Sequence, residues 1–175
     1  IRGGSRIINN MLVKLGATPV GMPVPAVTDA LSKGTIDGTT IPWEVTPSLK
    51  VTELVKNHTT FAGAEGLYTQ TFALSMNKAA YDKLPADLKK VIDNNSGIET
   101  AAFFGRAMDE GDKAGRAIAE KAGNNIVALD AAETQRWRRT ASVVETDWIN
   151  EVKGKGIDGA KLAAEARALI KKHQR

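Results

Sequence analysis

Gly34-Thr35-Ile36-Asp37-Gly38-Thr39-Thr40-Ile41-Pro42-Trp43 is the stretch whose reading decides the fold. A helix predicted over residues 25–33 ends at Gly34, which readily takes the left-handed conformation of a helix C-cap. Ile36 opens an apolar run, Asp37-Gly38 turns the chain, and Thr39-Thr40-Ile41 is β-prone. Pro42 stops that strand because it has no N–H for a ladder. The strand therefore ends in a Pro-Trp corner with Trp43 at its C-terminal edge, the edge beyond which open α/β sheets bind ligands. Arg2 and this corner are expected to line a binding cleft.

Upstream of this stretch, Ser5 can cap a helix whose apolar positions Ile7, Ile8, Met11, Leu12 and Leu15 follow helical spacing, and Gly16 closes it. Residues 18–24 read as a strand limited by Pro19 and Pro23. Strand, helix, strand, helix, strand is the parallel α/β pattern. Downstream, residues 59–64 and 66–77 look like further strands, with the longest strand-like run over 68–74. Residues 78–84 form a short helix. Pro85 suits the first turn of a long helix over 86–122. At about 1.5 Å per residue that helix would exceed roughly 50 Å, so Gly97, Gly105 and Gly111 are candidate bends. Residues 124–129 read as a strand, Asp130 caps a helix carrying Trp137, Val144 and Trp148, and a last helix covers 160–172. Two segments result, an α/β core over 1–77 and the long and C-terminal helices over 78–175.

The chain of 175 residues is 42% hydrophobic and 25% charged, which suits a soluble globular protein with a core. No apolar run approaches the roughly 20 residues that span a bilayer. The opening Ile1-Arg2-Gly3-Gly4 reads like the end of a strand whose earlier part is missing, so the chain is expected to be a piece of something longer. It has no cysteine, which excludes disulfides, thiolate zinc sites and thiol catalysis, and fits the bacterial periplasm. The net charge of +4 is mild and its cations are spread beside acids, as on a solvated surface.

Gly154-Lys155-Gly156-Ile157-Asp158-Gly159 matches G-x-G-x-x-G, but the dinucleotide fingerprint needs a strand before it and here a helix precedes. An interhelical loop is the better reading. Arg136-Trp137-Arg138-Arg139 joins cations to an aromatic, as nucleic-acid surfaces do. Trp137 shares an apolar stripe with Val144 and Trp148, which favours core plus solvated face. The alternative is a small basic α/β interaction or nucleic-acid-binding domain using Arg136, Arg138 and Arg139. His58 and His173 lack a second metal ligand at helical spacing. Asp109, Glu110 and Asp112 read as solvated acids on a helix. No metal, cofactor or enzymatic activity is expected. Arg2 can aim its fork at a bound carboxylate, with Gly3-Gly4 letting the ligand approach the backbone; an ordinary surface ion pair is the other reading.

The order Ile1-Arg2, helix, Leu15-Gly16-Ala17-Thr18-Pro19-Val20-x-Met22, helix, Gly34-Thr35-Ile36-Asp37-Gly38-x-x-x-Pro42 resembles the solute-binding proteins of TRAP transporters, the DctP-type family. Leu84-Pro85-x-Asp87-Leu88-Lys89-Lys90-Val91-Ile92 and Gly156-Ile157-Asp158-Gly159 are similar to later parts of that family. The resemblance implies an α/β, periplasmic-binding-protein-like (type II) two-lobe fold, here its C-terminal portion with a long lobe-spanning helix and the N-terminal lobe missing. It implies a monomeric periplasmic receptor for a small organic acid, delivering to small and large TRAP membrane subunits, with no nucleic acid involved. Arg2 matches the family's carboxylate-pairing arginine. Ile41 stands where the family often has Asn, Val24 where it often has an aromatic residue, and Thr71 near a strand position that can contact ligand. With Trp43 beside them, these departures imply a compact or partly apolar carboxylate rather than a hydroxyl-rich, sialic-acid-like ligand.

Overall fold

A computed structural model describes residues 1–63 and 66–173. The chain divides into two compact units: Ile1–Thr40 with Phe61–Gly63 and Ala128–Arg175, and Ile41–Thr60 with Ala64–Val127. In the first, β1 (Arg2–Gly3), α1 (Arg6–Lys14), β2 (Val20–Gly21) and α2 (Val27–Ser32) alternate, and α7 (Ala131–Lys153) and α8 (Gly159–His173) complete it. The second holds α3 (Val51–Leu54), β3 (Asn57–Thr60), α4 (Lys78–Asp82), α5 (Ala86–Asn94), α6 (Ile98–Lys121) and β4 (Asn125–Ala128), whose last residue falls to the first unit.

β1 and β2 pair in parallel, with Arg2 opposite Val20 and Gly3 opposite Gly21. Thr39 forms a single parallel bridge to Arg2. The strand expected over 39–41 is thus one bridge, and that over 18–24 is two residues long. Pro19 and Pro23 bracket β2 and Pro42 follows Thr39 closely, so there are few N–H groups with which to lengthen the ladder. The first helix holds to expectation. Ser5 Oγ accepts from the Ile8 N–H, and α1 buries Ile8, Met11 and Leu12. Val27, Ala30 and Ile36 complete this part of the core. Gly16 and Gly34 take the positive φ of +86° and +67° at which a side chain is strained.

Asp130 caps α7 by accepting from the Glu133 N–H at 2.7 Å. α7 packs on α1 and buries Val144 and Val152, and Arg6 Nη2 donates to both carboxylate oxygens of Glu151, at 2.9 and 2.8 Å. Residues 154–158 connect two helices, which is the interhelical reading of the G-x-G-x-x-G match. Its last glycine has a packing role: a Cβ on Gly159 would stand 2.7 Å from Val152 Cγ2 and 3.1 Å from Ile149 Cα.

In the second unit, β3 and β4 form a two-stranded sheet. The helix expected over 86–122 is two helices, because Gly97 at φ +101° breaks it between α5 and α6. Gly105 and Gly111 lie inside the uninterrupted α6. Residues 66–77 form no helix or strand, contrary to expectation, and Leu74 is 91% exposed. Among the described residues no ladder partner meets that segment, and strand propensity without one leaves the backbone to solvent. Of the strand expected over 59–64, β3 includes Thr59 and Thr60, and Ala64 lies outside the described residues.

Candidate functional site

The first unit carries a cleft of ≈ 380 Å³ around the end of the β1–β2 ladder. Arg2 forms its base. Its backbone is held on both sides: its N–H donates to Gly38 O at 2.8 Å, Thr40 N–H donates to its carbonyl at 3.0 Å, and Val20 N–H donates to Ile1 O at 2.9 Å. Arg2 is only 5% exposed. Nε donates to Met22 O and Nη1 to Thr40 O, both at 3.1 Å. A guanidinium has five N–H donors, and carbonyl dipoles offset only part of the cost of burying its charge. Among the described residues no carboxylate pairs with it. The surface ion pair, the plainer of the two readings, is therefore not what this structure contains.

Glycines keep the cleft open. A Cβ on Gly4 would lie 3.4 Å from Arg2 Nη2, 3.5 Å from Nη1 and 3.6 Å from Cζ, over the plane of the guanidinium. Ser5, Arg6 and Asn9 of α1 line one side of the cleft and the segment from Gly21 to Val24 another. Val24 is 38% exposed and adds apolar surface. Of the residues expected to bind ligand, Arg2 and Val24 thus share this cleft. Ile41, Trp43 and Thr71 belong to the second unit.

There, Trp43 begins a turn of 3-10 helix, Trp43–Val45, and is half-buried against His58, with ring centroids 4.9 Å apart. Thr71 is exposed in the irregular segment. The acids on α6 are not all idle: Asp112 accepts from the Glu44 N–H at 2.8 Å, and burial with the Asp112 charge pushes the Glu44 carboxyl up. Asn124 Nδ2 donates to Thr52 O at 2.9 Å and to Val55 O at 3.2 Å, and stands 3.0 Å from His58 Nε2. Two carbonyls fix that amide's orientation, and a protonated ring would set an N–H of its own against the amide's N–H groups. Burial pushes the His58 pKa down.

In the first unit, Arg136 donates twice to Glu133, and Trp137 Nε1 donates to the same carboxylate at 2.9 Å. These bonds hold Glu133 at about 2. Trp137 packs edge-on against Phe61 at 5.6 Å. Arg136 and Trp137 of the cation-aromatic run are thus engaged within their own unit. Among the described residues no His, Asp and Glu cluster could hold a metal, and no helix is long and apolar enough to cross a membrane.

In this unit a parallel α/β ladder ends at a buried guanidinium in an open cleft. The chain belongs to the DctP family, bacterial extracellular solute-binding protein family 7, whose profile matches residues 1–151. It is 32% identical over 171 residues to a solute-binding protein of Albidiferax ferrireducens, covering 97% of this chain and 49% of that one. Among solved structures, a TRAP solute-binding protein of Rhodoferax ferrireducens with copurified benzoate is 50% identical, with a TM-score of 0.87 over 98% of this chain and 54% of that one. A marine metagenome TRAP solute-binding protein specific for aromatic acid ligands, co-crystallised with 3-hydroxybenzoate, is 46% identical, with a TM-score of 0.93 over 99% and 54%. The chain spans about half the length of these relatives, and its fold is that of their type II binding architecture.

Proposed function

We propose that this chain is the carboxylate-anchoring portion of a periplasmic TRAP solute receptor whose ligand is a small aromatic monocarboxylate. The observation that carries the reading is the Arg2 guanidinium, 5% exposed and without a carboxylate partner among the described residues. A bound carboxylate supplies the missing charge and takes the unused N–H groups as a fork, an arrangement stronger than a neutral hydrogen bond. Support for an aromatic acid comes from the relatives at 50% and 46% identity, which hold benzoate and 3-hydroxybenzoate. The apolar Val24 in the same cleft suits a ring better than a sugar acid's hydroxyls. The protein binds and releases its ligand unchanged, delivers it to the TRAP membrane subunits, and performs no catalysis.

Calorimetric titration of the full-chain protein with benzoate, 3-hydroxybenzoate and succinate tests this. The reading expects both aromatic acids to bind more tightly than succinate. Binding of succinate alone would remove the aromatic assignment, and binding of none of the three would remove the receptor reading.

A further inference from the structure

We propose that Asn9 is a second ligand contact beside Arg2, donating from its carboxamide to an oxygen of the bound carboxylate. The inference rests on the receptor reading above. Asn9 sits one turn into α1, where its N–H donates to Ser5 O at 2.9 Å. Helical side chains lean back toward the N-terminus, which carries this one over the end of the β1–β2 ladder. Gly3 and Gly21 are opposite partners in that ladder, and the carboxamide lies across the pair. A Cβ on Gly3 would stand 2.1 Å from Asn9 Oδ1, and one on Gly21 would stand 3.2 Å from Nδ2. The two glycines therefore make the room that the amide occupies.

The amide gains nothing from the protein in that place. Oδ1 is shut off from solvent and accepts no hydrogen bond. Nδ2 has no acceptor among the described residues, and Asn9 lines the same cleft as Arg2. Buried polar groups are paired in the great majority of cases, and an aliphatic residue of the same size would avoid the penalty. An acceptor arriving with the ligand accounts for both the amide and the two glycines. Because Oδ1 is covered by Gly3, the group left to face the cleft is Nδ2, and an anion selects that donor orientation. Arg2 then supplies the charge and Asn9 a neutral donor that fixes the orientation of the carboxylate.

The test is calorimetric titration of the full-chain protein with benzoate as the probe, comparing wild type with Asn9→Leu and Asn9→Asp. Losing a hydrogen bond to a charged group weakens binding by about tenfold or more, the result expected for Asn9→Leu. Asn9→Asp keeps the shape and puts a negative charge where the donor was, so its loss is deeper. Ligand-free melting temperatures report folding; if Asn9→Leu does not fold, the isosteric Asn9→Asp decides. Affinities of the folded variants within twofold of wild type overturn the Asn9 assignment and leave the receptor reading standing. Failure of the wild-type protein to bind benzoate counts against the receptor reading, and this inference falls with it.

Discussion

The carbonyl oxygen of Trp43 stands 2.1 Å from the point where a side chain on Gly115 would begin. The turn at Trp43–Val45 packs directly on the backbone of α6. Gly111 lies against Glu44 one turn earlier, and Ala119, fully buried, continues the same face one turn later. A methyl at position 115 has no flexible neighbour to displace, because the obstacle is backbone. Gly115→Ala is expected to destabilise the protein by about 3 kcal/mol or more. Gly105→Ala is the contrast, since nothing lies within 4 Å of its Cβ position. It should stabilise α6 by about 0.5–1 kcal/mol through helix propensity. Urea denaturation of both variants checks the pair, and equal effects would contradict the packing argument.

His58 makes stability depend on pH in a defined direction. Its native pKa is pushed below the ordinary value by burial, so the unfolded chain binds the extra proton more readily. Stability therefore rises with pH across this titration and is lost as pH falls below about 6.5. The contacts agree: the ring packs on Trp43, and Nε2 stands 3.0 Å from the Asn124 amide nitrogen, where a protonated ring would bring two donors together. Unfolding midpoints measured from about pH 7.5 to about pH 5.5 should fall more steeply for wild type than for His58→Gln. Parallel slopes would exclude His58 as the source.

Arg2 is the position where substitution is expected to weaken carboxylate binding. Arg2→Ala removes the charge and should cost about 2–5 kcal/mol of carboxylate affinity. Arg2→Lys should not restore it. A compact ammonium cannot hold both Met22 O and Thr40 O and still present a planar fork to a ligand. Titration with benzoate distinguishes the outcomes: near-wild-type affinity in Arg2→Lys would mean that charge alone suffices.

Asn124 ties the end of α6 to the carbonyls of Thr52 and Val55 across about 70 residues of chain. Asn124→Ala strands both carbonyls in a partly buried setting and should cost about 2–4 kcal/mol. Chemical denaturation gives the value. A change below about 0.5 kcal/mol, the range of an ordinary surface substitution, would mean that solvent replaces the amide freely.

Local chemistry was readable in the sequence. Ser5 and Asp130 cap their helices through bonds only three residues long, and Gly16, Gly34 and Gly97 take backbone conformations that other residues resist. Such signals survive in a one-dimensional reading because cause and effect are neighbours in the chain. The helix–strand alternation around residues 34–43 was enough for the α/β class, and the arginine at position 2 was visible as a candidate anchor. Strand lengths were not: residues 66–77 are strand-prone and form no strand, because a ladder depends on a partner that local propensity does not supply.

Tertiary structure alone decided the rest. It buried Arg2 under the carbonyls of Met22 and Thr40, and turned Asp112 from a solvated acid into the acceptor for Glu44 N–H. It also set Gly111 against Glu44 rather than at a bend in α6. The four-residue spacing of Gly111, Gly115 and Ala119 was a signal for a flat helix face that could have been read. What that face would meet could not, since its partner lies about 70 residues away and contributes backbone, which carries no residue-specific pattern. The same holds for Asn9 across Gly3 and Gly21. The sequence determined which residues could turn, cap or carry charge, and the fold determined which of them are buried and what they meet there.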